Sequence, residues 1–119
     1  MGASGAFSWN SELPSGRSPF WIRDDALAGV GLHPGDAVSV DTRAEPRDGD
    51  LVVVEVEIDG DSQRTARRYF SSSGVVRLDC VGDATQPLEL PSEDVIVMGI
   101  IVGRVRFSPD REEAIEEPL

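Results

Sequence analysis

Between residues 19 and 107, apolar and polar positions alternate in short blocks separated by turn-forming residues, the pattern of an all-β chain. Phe20 to Arg23 predicts a first strand. His33-Pro34-Gly35-Asp36 predicts a tight turn, because proline presets φ and glycine accepts a positive one. Ala37 to Asp41 has the period-2 alternation of a half-buried strand. Leu51 to Ile58 (LVVVEVEI) is the strongest strand signal. Its first half is apolar on both faces and its second half alternates, so it is expected to run from the core to an edge. Asp59-Gly60 predicts a hairpin returning through Gln63 to Phe70, and Ser71 to Gly74 turns the chain into Val75 to Val81. Val95 to Phe107 predicts a last long strand, in which Gly99 and Gly103 point to a bulge or a close backbone approach. Ala26 to Gly31 could make one helical turn; no longer helical period appears before residue 108.

The flanks read differently. Residues 1–19 carry Gly, Ser, Pro and Asn with scattered apolar residues and are expected to form a flexible arm, which Phe7 and Trp9 could dock. Ser108-Pro109 resembles a helix cap and first helical position, followed by five acidic side chains opposed only by Arg111. Residues 108–119 are therefore expected to be a solvated acidic tail, and 20–107 to form the one folded domain.

Charge and composition narrow the function. The chain has 119 residues and a formal net charge of −11, with 11 Lys plus Arg against 22 Asp plus Glu. All the cations are arginine. Direct nucleic-acid binding and anionic membrane surfaces are disfavoured, because both run on clustered cations. No apolar run approaches the ~20 residues of a membrane span, and the N-terminal residues are not expected to act as a secretion signal. The single Cys80 fits a reducing compartment, so a cytoplasmic protein is expected. One histidine and one cysteine leave no multi-His or zinc-finger site, so neither metal nor cofactor is expected. The absence of lysine removes Schiff-base, Walker-type and Ser/Lys chemistry. His33 reads as a solvated turn residue rather than a pH switch. Asp59-Gly60-Asp61-Ser62 reads as a hairpin turn, since it lacks the spacing and closing Glu of a calcium loop.

The stretch IRDDALAGVGLHPGDAVSVD, from Ile22, resembles the LexA/UmuD family of self-cleaving serine peptidase domains. The family shows a strand, Gly-Asp-Ser-Met, a spacer, Gly-Ile, two residues, and Gly-Asp leading into another strand. Asp24-Asp25-Ala26-Leu27 stands in place of Gly-Asp-Ser-Met, Gly31-Leu32 in place of Gly-Ile, and Gly35-Asp36 matches without a gap. Asp48 to Val54 resembles the Gly-Asp-Ile-Val stretch. Thr65-Ala66-Arg67-Arg68-Tyr69 resembles the Thr-Val-Lys-Arg-Leu segment that supplies the catalytic lysine. Val76-Arg77-Leu78, Pro87-Leu88 and Val97 to Gly103 match later landmarks, so the resemblance covers about residues 20–107. It implies a compact β domain of short, highly twisted antiparallel strands.

The resemblance also implies that the chemistry is gone. In the family a serine attacks a peptide carbonyl and a neutral lysine takes its proton. Here the serine position is Ala26 and the lysine position is Arg67, and a guanidinium is no general base. Ser39, Ser62 and Ser71 to Ser73 lack a base and read as structural. No Ala-Gly or Cys-Gly cleavage dipeptide precedes Ala26, and Ala28-Gly29 falls inside the motif turn. The 19 residues before the domain are not expected to hold a helix-turn-helix. Arg67 is expected to pair with Asp24 or Asp25, because a charge left alone in a cleft is costly. Trp21 reads as core or interface. The last strand, with Val102, Val105 and Phe107, is expected to be an apolar edge that pairs with another chain, as the resemblance also implies.

The functional expectation is a catalytically inactive domain acting as a dimerisation and protein-interaction module, in bacterial SOS/DNA-damage response or phage-type transcriptional regulation. Its expected partner is itself or a related active family member, with a translesion polymerase or a regulatory protein as further candidates. The alternatives are an active peptidase with an unorthodox nucleophile, or the regulatory fragment of a repressor whose DNA-binding half is elsewhere.

Overall fold

A computed structural model of the chain describes residues 13–82, 86–109 and 113–119. Phe7, Trp9 and the acidic residues Asp110 and Glu112 lie outside the described residues. The strands are β1 (Ser18–Trp21), β2 (Ala37–Asp41), β3 (Leu51–Ile58), β4 (Asp61–Ser72), β5 (Val75–Asp79), β6 (Leu88–Pro91), β7 (Ile96–Phe107) and β8 (Ala114–Pro118). Two single 3₁₀ turns, Ala28–Val30 and Ser92–Asp94, are the helical elements among the described residues. The strands form one antiparallel sheet in the order β1-β2-β7-β3-β4-β5-β6, with β8 also paired to β7. The all-β expectation holds.

The sheet has a core on each face. Val53 points into one cluster with Phe20, Leu27, Leu32, Val38 and Ile101. Val52, Val54 and Val56 point into the other, with Val76 and Leu78. The alternation of β3 therefore ends on both sides in apolar packing, which is why its first half is apolar throughout. Past Glu55, the last residue paired to β7, the strand's one ladder partner among the described residues is β4. At the β3–β4 turn Asp59 and Gly60 both take positive φ, 53° and 85°, the signature of a type I′ hairpin.

Several expectations are corrected. β2 is buried on both faces, Ser39 included, because Leu13, Ala37 and Val105 make a third cluster on the face that the polar positions would leave to solvent. Leu13 is 2 % exposed, so the described end of the arm is packed and β1 begins at Ser18. Two strands, β4 and β7, are 12 residues long rather than short. Strand β6 carries no clear sequence signal, and it forms because β5 needs a second partner.

The largest correction concerns β7. It is no edge: β2 pairs along 100–105, β3 along 96–100, and β8 along 103–107. Val105 is buried within its own chain, Phe107 stacks on Trp21 at 6.0 Å between ring centroids, and Val102 alone of the three is exposed. The acidic tail is correspondingly a strand over 114–118 rather than a helix start and a solvated run. Backbone groups of β7 left bare beyond β3 find partners there, and this pairing overrides the local propensity of SPDREE. The glycines of β7 do mark irregularities. Val102 is the extra residue between the Ser39–Gly103 and Val40–Ile101 pairs, and Met98 between Val53–Gly99 and Val54–Val97. A Cβ on Gly99 would sit 2.6 Å from the Asp41 carbonyl oxygen.

Candidate functional site

The segment from Ile22 to Asp36 folds as a compact double turn. Gly35 N–H donates to the Ile22 carbonyl and Asp36 N–H to the His33 carbonyl, closing the His33–Asp36 turn. The Asp36 carboxylate accepts the His33 N–H at 2.9 Å, while the His33 side chain stays at the surface. Leu27 and Leu32, both 0 % exposed, plug the turn into the core, each contributing about 1.5–3 kcal/mol by burial.

The turn is also sewn to the chain after β5. Val81 N–H donates to the Ala26 carbonyl at 2.6 Å, and Gly29 N–H donates to the Val81 carbonyl at 2.7 Å. This brings Gly29 against Gly82 so closely that a Cβ on Gly29 would lie 2.7 Å from the Gly82 nitrogen. A side chain has no room on either partner.

Ala26 is 3 % exposed, so its methyl is core. Its backbone N–H donates to Asp24 Oδ1 at 3.0 Å. The other Asp24 oxygen, Oδ2, lies 3.4 Å from Arg67 Nη1 and 3.5 Å from the Thr65 hydroxyl. Arg67 Nη1 also donates to the Ala66 carbonyl at 2.9 Å and to the Thr65 hydroxyl. Asp24 thus joins the motif turn to β4, with Arg67 12 % exposed and Asp24 49 % exposed at the side chain. Asp25 is exposed, and no ion pair joins it to Arg67 among the described residues.

Two contributors carry no sequence signal of their role. Thr65 is 5 % exposed and completes the polar cluster with Asp24 and Arg67. Arg104, on β7, donates to the Gly31 carbonyl at 3.0 Å and lies 3.8 Å from Asp36, clamping the far end of the turn.

Beside the cluster runs an open groove of about 550 Å³ lined by Arg23, Asp24, Glu55, Ser62, Gln63, Arg64 and Thr65. It follows the edge of β4 from Asp61 to Arg67, which pairs with β3 on its other side and has no second strand partner among the described residues. The remaining sequence candidates stand apart. Ser39 is buried opposite Gly103, and Ser71 to Ser73 shape the β4–β5 turn. Among the described residues no group of three or more His, Cys, Asp or Glu is placed to hold a metal ion, and no helix is long and apolar enough to cross a membrane.

The site is thus a compact double turn packed beside a long strand of an antiparallel β domain. The family model described as Peptidase S24-like matches residues 4–102, and the chain belongs to this serine peptidase family. Among curated relatives, it is similar to the LexA repressor of Deinococcus radiodurans, 34 % identical over 90 residues, which are 76 % of this chain and 42 % of the repressor. The LexA repressor of Ligilactobacillus salivarius is 29 % identical over 85 residues, 71 % of this chain and 39 % of that one. The LexA repressor of Cereibacter sphaeroides is 28 % identical over 85 residues, 71 % and 36 %. The chain therefore spans about two fifths of the length of these relatives. The match places an S24-family domain beside part of these repressors.

Proposed function

We propose that this domain has left catalysis and works as a dimerisation and protein-interaction module in the cytoplasm, in bacterial DNA-damage response or phage-type transcriptional control. The observation that carries the reading is the occupancy of the old site by Asp24. A serine peptidase needs a nucleophile, a base, and donors free to meet the oxyanion. Ala26 supplies no nucleophile, and Arg67 supplies a permanent cation instead of a base. The N–H at the nucleophile's own position, a common oxyanion donor, is bonded to Asp24 at 3.0 Å. Arg67 and Thr65 also turn their donors to that carboxylate. An internal anion thus sits among the donors that a reaction would need.

Interaction needs none of this chemistry. The edge of β4, without a second strand partner over 61–67 among the described residues, offers main-chain groups to an extended peptide, and Arg23 and Arg64 beside Glu55 and Asp24 give the groove both signs of charge. Self-association, or pairing with an active relative, fits the β7–β8 end of the sheet, where Val102 and Ile115 are exposed apolar residues. The name repressor carried by the matched relatives supports a regulatory setting.

The test is incubation of the purified chain at neutral and strongly alkaline pH, followed by denaturing mass spectrometry, beside a relative that keeps both serine and lysine. Alkaline conditions deprotonate a lysine base where there is one, so they are the stringent case. The chain is expected to stay at 12.8 kDa throughout, and a discrete fragment would overturn the reading.

A further inference from the structure

We propose that the edge of β7 from Gly103 to Phe107 is a docking site for an acidic strand, filled by β8 and exchanged with the β8 of a second copy of this chain. The inference rests on the dimerisation reading above and specifies how the two copies would join.

The register carries the argument. β8 sets Glu117 opposite Arg104, Glu116 opposite Val105 and Ile115 opposite Arg106. Arg106 donates to Glu117 at 2.6 Å, and Glu116 pairs with Arg17 at 3.4 Å. The strand that fits this edge is therefore one whose carboxylates meet Arg106 of β7 and Arg17 beside it. The obvious alternative, two β7 strands meeting antiparallel about Val105, would set Arg104 of each copy opposite Arg106 of the other. Like charges directly across a ladder are destabilising. The edge that looks self-complementary in its apolar residues is self-repelling in its charges, and it selects an acidic partner strand instead.

The anchoring of β8 makes exchange feasible. Its ion pairs are exposed: the Arg106 and Glu117 side chains are 65 % and 39 % accessible, and Arg17 is 45 % accessible. Such pairs are weak and screened by salt. The strand's largest apolar residue, Ile115, is 43 % exposed, and Ala114 is the apolar contact it makes with the Leu13–Ala37–Val105 cluster. Beneath it lie Val105 and the Trp21–Phe107 stack, which a bare edge would open to water. The strand is easy to release, but its place cannot stay vacant. A second copy offers the same strand, so reciprocal exchange regains the β7–β8 ladder and its ion pairs, gives up the two Ser108–Glu113 bonds of the connecting turn, and closes with two-fold symmetry. The family match ends at residue 102, so β8 and the stretch of β7 it covers lie outside the matched region.

The test uses the full chain with Cys80→Ser. One preparation carries Arg106→Cys and another Ile115→Cys, positions that face each other across the ladder. The two are mixed at high micromolar concentration, oxidised, and run on a non-reducing gel, with light scattering on the unmodified chain alongside. The expected result is a covalent heterodimer joined between 106 and 115. Glu116→Lys with Glu117→Lys in the second chain is expected to lower its yield at least about fivefold, because lysine then faces arginine across the ladder. A dimer by light scattering with no such link overturns the exchange and leaves the dimerisation reading standing. A monomer at every concentration overturns both. If a cysteine variant fails to fold, isotope-filtered NMR on a mixed-label sample of the unmodified protein reads the same contact. Nuclear Overhauser effects from Val105 of one copy to Glu116 of the other are expected, and their absence in a dimer overturns the proposal.

Discussion

The motif turn and the C-terminal strand are both fastened to one sheet, yet they are held by different forces. The turn between Ile22 and Asp36 rests on two fully buried leucines, on backbone bonds to Val81, and on a glycine contact with no room for a side chain. Its polar cluster joins Asp24 of the turn to Thr65 and Arg67 of β4 and leaves the Arg67 side chain 12 % exposed. The C-terminal strand rests on a backbone ladder, one small apolar contact, and ion pairs open to water. Packing energy of the first kind is large and insensitive to salt, while charge pairing at a surface is small and screened. The segment around Ala26 and Arg67 is thus firmly packed, and the weakly held region is the C-terminal strand.

That contrast can be broken by substitution, starting in the turn. Leu27→Ala removes a side chain with no solvent exposure and is expected to cost about 2–5 kcal/mol, read from urea unfolding. A cost below about 1 kcal/mol would mean the turn is not packed as described. Gly29→Ala places a methyl against the Gly82 backbone and is expected to cost about 1–3 kcal/mol through forced displacement. Its unfolding midpoint should fall as much in high salt as in low salt.

The polar cluster should give an intermediate effect. Arg67→Ala is expected to destabilise by about 1 kcal/mol, because Arg67 is shielded but Asp24 is half exposed and can be solvated. A double-mutant cycle with Asp24→Ala should show coupling, and additive costs would mean that the pair contributes nothing. The smallest effect belongs to the C-terminal strand. Glu117→Gln should cost under about 1 kcal/mol at low ionic strength and nothing measurable at ~1 M salt. A salt-independent loss would make the two regions alike.

Much of this was legible in the chain itself, where the signal was local. β2 and β3 fall at the bounds their alternation predicts, and the Asp59-Gly60 hairpin follows from its turn chemistry. Ala26 and Arg67 could be singled out because the resemblance supplies positions. What was not legible depends on partners distant in sequence. β6 and β8 are strands because β5 and β7 have edges to fill, not because LELP or AIEEP favour extension strongly. Ser39 is buried because Gly103 and the Leu13 cluster lie over it. Arg104 reads as a surface cation until the fold lays it against the Gly31 carbonyl. The apolar residues of β7 suggested an open edge, and only the register reveals that the chain covers it with its own acidic end.

Native mass spectrometry of the full chain after alkaline incubation puts the central claim, a non-catalytic domain that acts by association, to its most direct trial. One spectrum reads both covalent integrity and assembly. The account predicts intact chains and a species at twice 12.8 kDa that grows with concentration. A discrete cleavage fragment, or intact monomer alone across the micromolar range, would contradict it.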